Sequence, residues 1–194
     1  MKRHLRIPLF LLISLLNSLA SYASNEMSFH QLGVKTGMSD NYIQAIERDK
    51  YGFMWFATRD GLNRYDGYHF KTYTTLRQGA YNNSVEWVAE DAAGNIWIKT
   101  PVNYCFYDRE MDELDNRTEL LLHKIGIFES PRQLFIDDDK NLWCVADNTL
   151  YYYIFSDETL YKQSLPGSVN IADMACRNKR CYILMTDANV INLD

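Results

Sequence analysis

DKYGFMWFATRDGLNRYDG runs from Asp49 to Gly67, and the fold turns on how it is read. Asp-x-x-Gly, here Asp49 to Gly52, suits a tight hairpin turn. The Asp accepts backbone N–H groups at its start, and the Gly takes the positive φ at its end. The next five residues, Phe53, Met54, Trp55, Phe56 and Ala57, are apolar in succession rather than in alternation. A strand of that kind is buried on both faces.

The stretch is one unit of a repeat. AEDAAGNIWIKT begins at Ala89 and FIDDDKNLWCVA at Phe135, so Asp49, Asp91 and Asp137 each stand six residues before Trp55, Trp97 and Trp143. The second copy keeps its glycine at Gly94; the third has Lys140 there. A degenerate fourth copy, MACRNKRCYILMT from Met174, puts Cys176 in the Asp position and Tyr182 in the Trp position. Successive aromatics are 42, 46 and 39 residues apart. Each copy follows a short apolar segment (YIQAI, VEWVA, RQLFI, VNIADM) and precedes a polar break and a further strand-like run.

A unit of this length, with three or four short antiparallel strands, cannot cover both its faces by itself. It needs a like sheet on each side, and radial stacking of such sheets is a β-propeller. The expected fold is therefore all-β, a partial β-propeller of about four blades near 38–76, 82–118, 130–165 and 168–194. A two-layer β-sandwich is the alternative, but it has no reason to repeat Asp-x5-Trp. Residues 118–126, TELLLHKIG, look helical within the longest connection. SFHQLGV, residues 28–34, reads as a strand available to close a missing last blade. The last copy stops at Asp194 after its third strand, so the reading expects a truncated chain.

Composition agrees with a packed β domain: 47% of the 194 residues are apolar, and 14 Tyr favour strands. The first 24 residues differ. Lys2, Arg3 and Arg6 precede an apolar run of about 14 residues and then small residues, the pattern of a secretory signal. That run is below the roughly 20 residues of a spanning helix. Export to a periplasm-type compartment is expected. Cleavage would leave 17 basic residues against 25 acidic ones, a balance that argues against nucleic acid as partner.

Met38 to Tyr73, MSDNYIQAIERDKYGFMWFATRDGLNRYDGYHFKTY, resembles the first repeat of the two-component regulator propeller, the periplasmic sensor module of hybrid two-component systems. The later copies depart from the pattern: besides Lys140, the Gly-Leu pair becomes Val102-Asn103 and Thr149-Leu150. The resemblance implies a receptor that signals through a membrane helix to a histidine kinase, in response to oligosaccharides released from glycans. The kinase and remaining blades would belong to a longer parent held at the inner membrane, and a homodimer stays open. The competing readings are a propeller enzyme resembling the lyases and an interaction fragment without a small ligand.

Catalytic chemistry has little to stand on. His30, His69 and His123 are far apart in the repeat and lack a nucleophile or carboxylate partner in the pattern. DDDKN, Asp137 to Asn141, lacks the glycine and distal glutamate of a calcium loop and reads as an acidic turn. No cofactor or metal is expected. Trp55, Trp97 and Trp143 read as core. Cys105 and Cys144, in apolar runs, read as buried thiols. Cys176 and Cys181 flank a turn. They face one another if Asn178-Lys179 is a two-residue turn, making a disulfide feasible, and point apart if the loop is longer.

Antiparallel order puts the Asp turns on a lower end, and the next turns with the inter-blade crossovers on an upper end. The stretch Arg109 to Pro131 is expected among the upper crossovers. Upper loops are where a rigid scaffold carries binding residues. Arg59, Tyr81, Trp87 and Asn103 are the candidate sugar contacts, by stacking and by hydrogen bonds to hydroxyls.

Overall fold

The computed structural model describes residues 29–75, 83–165, 171–177, 180–186 and 189–193, with the backbone alone at 176, 177, 181 and 191–193. The signal-like segment 1–24 lies outside them. The chain divides into two compact units, Met1–Gln31 and Leu32–Asp194, and the described strands belong to the second.

Four antiparallel sheets follow one another in chain order. The first comprises β1 (Ile43–Arg48), β2 (Met54–Thr58), β3 (Gly61–Tyr65) and β4 (Phe70–Tyr73). The second holds β5 (Trp87–Glu90), β6 (Ile96–Lys99), β7 (Tyr104–Asp108) and β8 (Glu113–Asp115). The third is built from β9 (Pro131–Ile136), β10 (Leu142–Ala146), β11 (Thr149–Ile154) and β12 (Thr159–Ser164). The fourth has β13 (Ile171–Arg177), β14 (Arg180–Met185) and β15 (Val190–Leu193).

The core consists of the seams between these sheets. Trp55, Ala57 and Tyr73 of the first pack against Val88, Ile96, Ile98 and Tyr107 of the second. Trp97 and Tyr104 meet Leu134, Leu142, Cys144 and Tyr151 of the third. Trp143, Val145 and Tyr152 meet Met174 and Ile183 of the fourth. Along β6, Trp97 thus serves one seam while Ile96 and Ile98 serve the other, which is why the run is apolar without alternation. The second and third sheets are covered on both faces, as blades are and as layers of a two-layer sandwich are not. Trp55, Trp97 and Trp143 are 0%, 1% and 4% exposed. Burial of side chains this large stabilises by on the order of 3 kcal/mol each, an upper value because unfolded chains are partly compact. Exposed apolar side chains remain on the first and last sheets of the array: Ile43 and Ile46 on the first, Tyr182, Leu184 and Val190 on the fourth.

Local chemistry accounts for three departures from the sequence reading. Residues 29–33 form no strand, and Val34–Thr36 make one 3-10 turn. The backbone there is satisfied locally, since Val34 N–H donates to Asn41 Oδ1 and Thr36 Oγ1 bridges to Gly33. Arg109 to Asp112 are not part of a crossover. They form the lower turn before β8, a three-residue strand with two acids and one leucine that gives almost no hydrophobic pattern. The true crossover holds the expected helix as α1 (Glu119–Leu122), extended by a 3-10 turn, His123–Ile125, and stopped by Gly126 at φ 84°. Lastly, Tyr182 pairs with Ala175 as Trp143 pairs with Phe135, yet Cys176 pairs with Cys181 and Arg177 with Arg180. The fourth turn is therefore one residue shorter than the others, and counting along the inner strand puts Arg177, not Cys176, where Asp137 stands.

Candidate ligand-binding face

At the lower end, each of the first three hairpins is closed by one buried carboxylate doing two jobs. Asp49 Oδ1 accepts from the N–H groups of Tyr51 and Phe53, at 3.0 Å each, while its Oδ2 accepts from Trp55 Nε1 at 3.0 Å. Asp91 accepts from Asn95 N–H at 2.9 Å and Trp97 Nε1 at 2.8 Å. Asp137 accepts from Asp139 and Asn141 N–H and from Trp143 Nε1 at 2.9 Å. The six-residue spacing is a hydrogen bond: one oxygen shapes the turn, the other satisfies the only polar atom of the buried indole. The left-handed position is filled by Gly52 (φ 91°), Gly94 (φ 90°) and, in the third copy, Lys140 (φ 63°). Both Asp137 oxygens are thus engaged by the hairpin itself, which suits the acidic-turn reading of DDDKN.

The β7–β8 turn clasps the first two blades together. Arg109 lies 3.4 Å from Asp49 Oδ2 and 3.8 Å from Glu90 Oε1, donates to Gly94 O at 3.1 Å, and stacks 4.5 Å over Tyr51. Asp112, at φ 52°, accepts from Tyr73 Oη at 2.6 Å, from Tyr107 Oη at 2.7 Å and from Lys71, beside Arg64. Desolvation pushes the Asp112 carboxyl up, but hydrogen bonds from Lys71, Tyr73 and Tyr107 and the Arg64 charge hold it well below the usual carboxylate range. Burial and the bond to Asp112 push the Tyr73 phenol up. Sequence reasoning found neither Arg109 nor Asp112, because their first-blade partners lie between 39 and 60 residues away and, among the described residues, the contact is made between one pair of blades only. Near the axis, Lys140 of the third blade pairs with Glu47 of the first.

The upper end is less regular. Thr58 Oγ1–H donates to Gly61 O at 2.8 Å, and Thr100 Oγ1–H to Asn103 O at 3.0 Å, each three residues after its Trp. Asn103 sits on the turn wall of a groove of about 390 Å³ between the second and third blades, with Lys99, Asn116, Glu119 and Arg132. Its side-chain oxygen, 2.7 Å from Thr100 Oγ1, shares the single hydroxyl proton with the Asn103 carbonyl, so that atom serves the turn. Trp87 opens β5 and, half-buried, lines an axial cavity of about 680 Å³ with Ile46, Glu47, Phe135 and Lys140. Arg59 is exposed and stacks 3.6 Å over Tyr42 on the first blade. Tyr81 lies outside the described residues. The candidates therefore do not converge: Asn103 faces the groove, Trp87 the cavity, and Arg59 lines neither. The buried Cys105 and Cys144 are free thiols, and burial pushes both to about 12, where they are poor nucleophiles. Among the described residues no group of three His, Cys, Asp or Glu side chains is arranged to hold a metal.

A serial stack of three four-stranded sheets and a fourth with three described strands, with the first three tied at their lower turns and concave space at the axis and upper end, defines the segment as part of a β-propeller. Residues 37–60 match the two component regulator propeller family. A stretch of 37 residues is 51% identical to Histidine kinase P4 of Formosa agariphila, covering 19% of this chain and 3% of that protein. In structure the chain is similar to the extracellular domain of a putative one component system from B. thetaiotaomicron, at 16% identity and TM-score 0.49, over 80% of this chain and 21% of that one. It is also similar to virginiamycin B lyase from Staphylococcus aureus, at 13% identity and TM-score 0.45, over 80% and 56%.

Proposed function

We propose that these blades are the periplasmic, ligand-sensing part of a hybrid two-component sensor that signals to a histidine kinase. The ligand is an oligosaccharide. The observation that carries this reading is the match of residues 37–60 to a two component regulator propeller, together with the 37-residue stretch of the chain that is 51% identical to a histidine kinase. The site chemistry supports a binding module. A half-buried indole at a cavity of about 680 Å³ offers a stacking face, and the groove beside it offers amide, ammonium, guanidinium and carboxylate groups for hydroxyls. Screening oligosaccharides by thermal shift tests it. At least one class raises the melting temperature of the wild type, and Trp87→Ala removes that rise; a panel with no stabilising sugar overturns the reading.

A further inference from the structure

The first three hairpins share a tie that the fourth lacks. Its Trp position is Tyr182, and counting along the inner strand puts Arg177 at the Asp position. No carboxylate–indole bond can therefore close it. What its register offers instead is Cys176 directly opposite Cys181.

The geometry of that pair follows from the ladder. Met185 N–H donates to Asn189 O, at 2.8 Å, so the backbone of residue 185 is turned toward the β15 side. Backbone direction alternates along a strand, so positions 183 and 181 are turned the same way, and 182 and 184 toward β13. Cys181 therefore exchanges no backbone hydrogen bond with β13, and Cys176↔Cys181 is a non-hydrogen-bonded pair. Such pairs bring Cα atoms to about 4.5 Å, inside the 4.4–6.8 Å window of a disulfide. The Arg177↔Arg180 pair leaves just two residues between the strands, the condition under which the sequence makes the bridge feasible. By register, the pair occupies the place of Ile136↔Leu142 in the third blade.

We propose that Cys176 and Cys181 form a cross-strand disulfide that replaces the Asp–Trp tie in the fourth blade. This inference does not depend on the sensing reading. Formation is a dithiol–disulfide exchange: the two thiols give up two electrons and two protons to a disulfide oxidant, which leaves as two thiols, and the S–S bond forms. Oxidised glutathione serves as that oxidant in the test.

The full chain is equilibrated with oxidised glutathione, alkylated in denaturant, digested with trypsin and analysed by mass. Arg177, Lys179 and Arg180 are cleavage points between the cysteines, so the bridge is read as two peptides held together until reduction. The expected result is this linked pair, with Cys105 and Cys144 alkylated. In Cys176→Ser, Cys181 cannot be resolved by a partner thiol and is found as a mixed disulfide with glutathione, or alkylated when the oxidant is omitted, which shows that the reagents reach it. Alkylation of both Cys176 and Cys181 in the unreduced wild type, or linkage of either to Cys105 or Cys144, overturns the proposal.

Discussion

The two ends of the blades obey different rules. The lower end repeats one device three times: a buried Asp that ties its own turn to the indole six residues on. Among the described residues, the upper end repeats a threonine in two blades and otherwise differs blade by blade: an arginine on a tyrosine at the first, a polar groove at the second. Repetition marks what holds the sheets, and irregularity marks loops that the scaffold leaves free to vary.

The severest way to break this contrast is at the lower end. Asp91→Ala strips a fully buried indole N–H and the Asn95 backbone of their acceptor, at a cost of about 3 kcal/mol in urea unfolding with an unchanged m-value. A loss under 1 kcal/mol would mean the tie is ornamental. At the upper end, Asn103→Ala removes one turn bond to Thr100 and costs about 1 kcal/mol. Arg59→Ala, at an exposed stacking contact, stays within about 0.5 kcal/mol. If Arg59→Ala rivalled Asp91→Ala, the division between scaffold and variable end would fail.

A titration sharpens the lower end further. The Asp112 carboxyl is depressed in the folded chain, so below the ordinary value of 3.8 the unfolded chain takes up the proton first. Its contribution is present above that pH and is lost as pH falls toward the folded value. Acid unfolding followed from pH 5 to pH 2 should show a shallower loss of stability for Asp112→Asn than for the wild type. Equal slopes would remove Asp112 from the clasp.

Much of the scaffold was legible because it is local. Asp49, Asp91 and Asp137 announce their turns, and unbroken apolar runs announce sheets covered on both sides. The bond from each Trp Nε1 was implicit in the constant spacing, although the two residues read separately as turn and core. The clasp was not legible. Arg109 and Asp112 act on residues of another blade, and only the stacking of sheets brings them together. Their turn was also hidden by β8, whose Glu113-Leu114-Asp115 carries too little apolar pattern to announce a strand. Among the binding candidates, Trp87 lies on the inner strand where the sequence put it, half-buried at a cavity. Asn103 lies on the expected turn, with its side-chain oxygen bonded to Thr100.

Stacked repeats normally touch only adjacent units, so a disturbance decays from one to the next. The Lys140–Glu47 pair skips a sheet, joining the first blade to the third at the hub. The lysine that stands at the glycine position of its turn thus couples the third blade directly to the first, so a disturbance in one reaches the other without passing through the sheet between them.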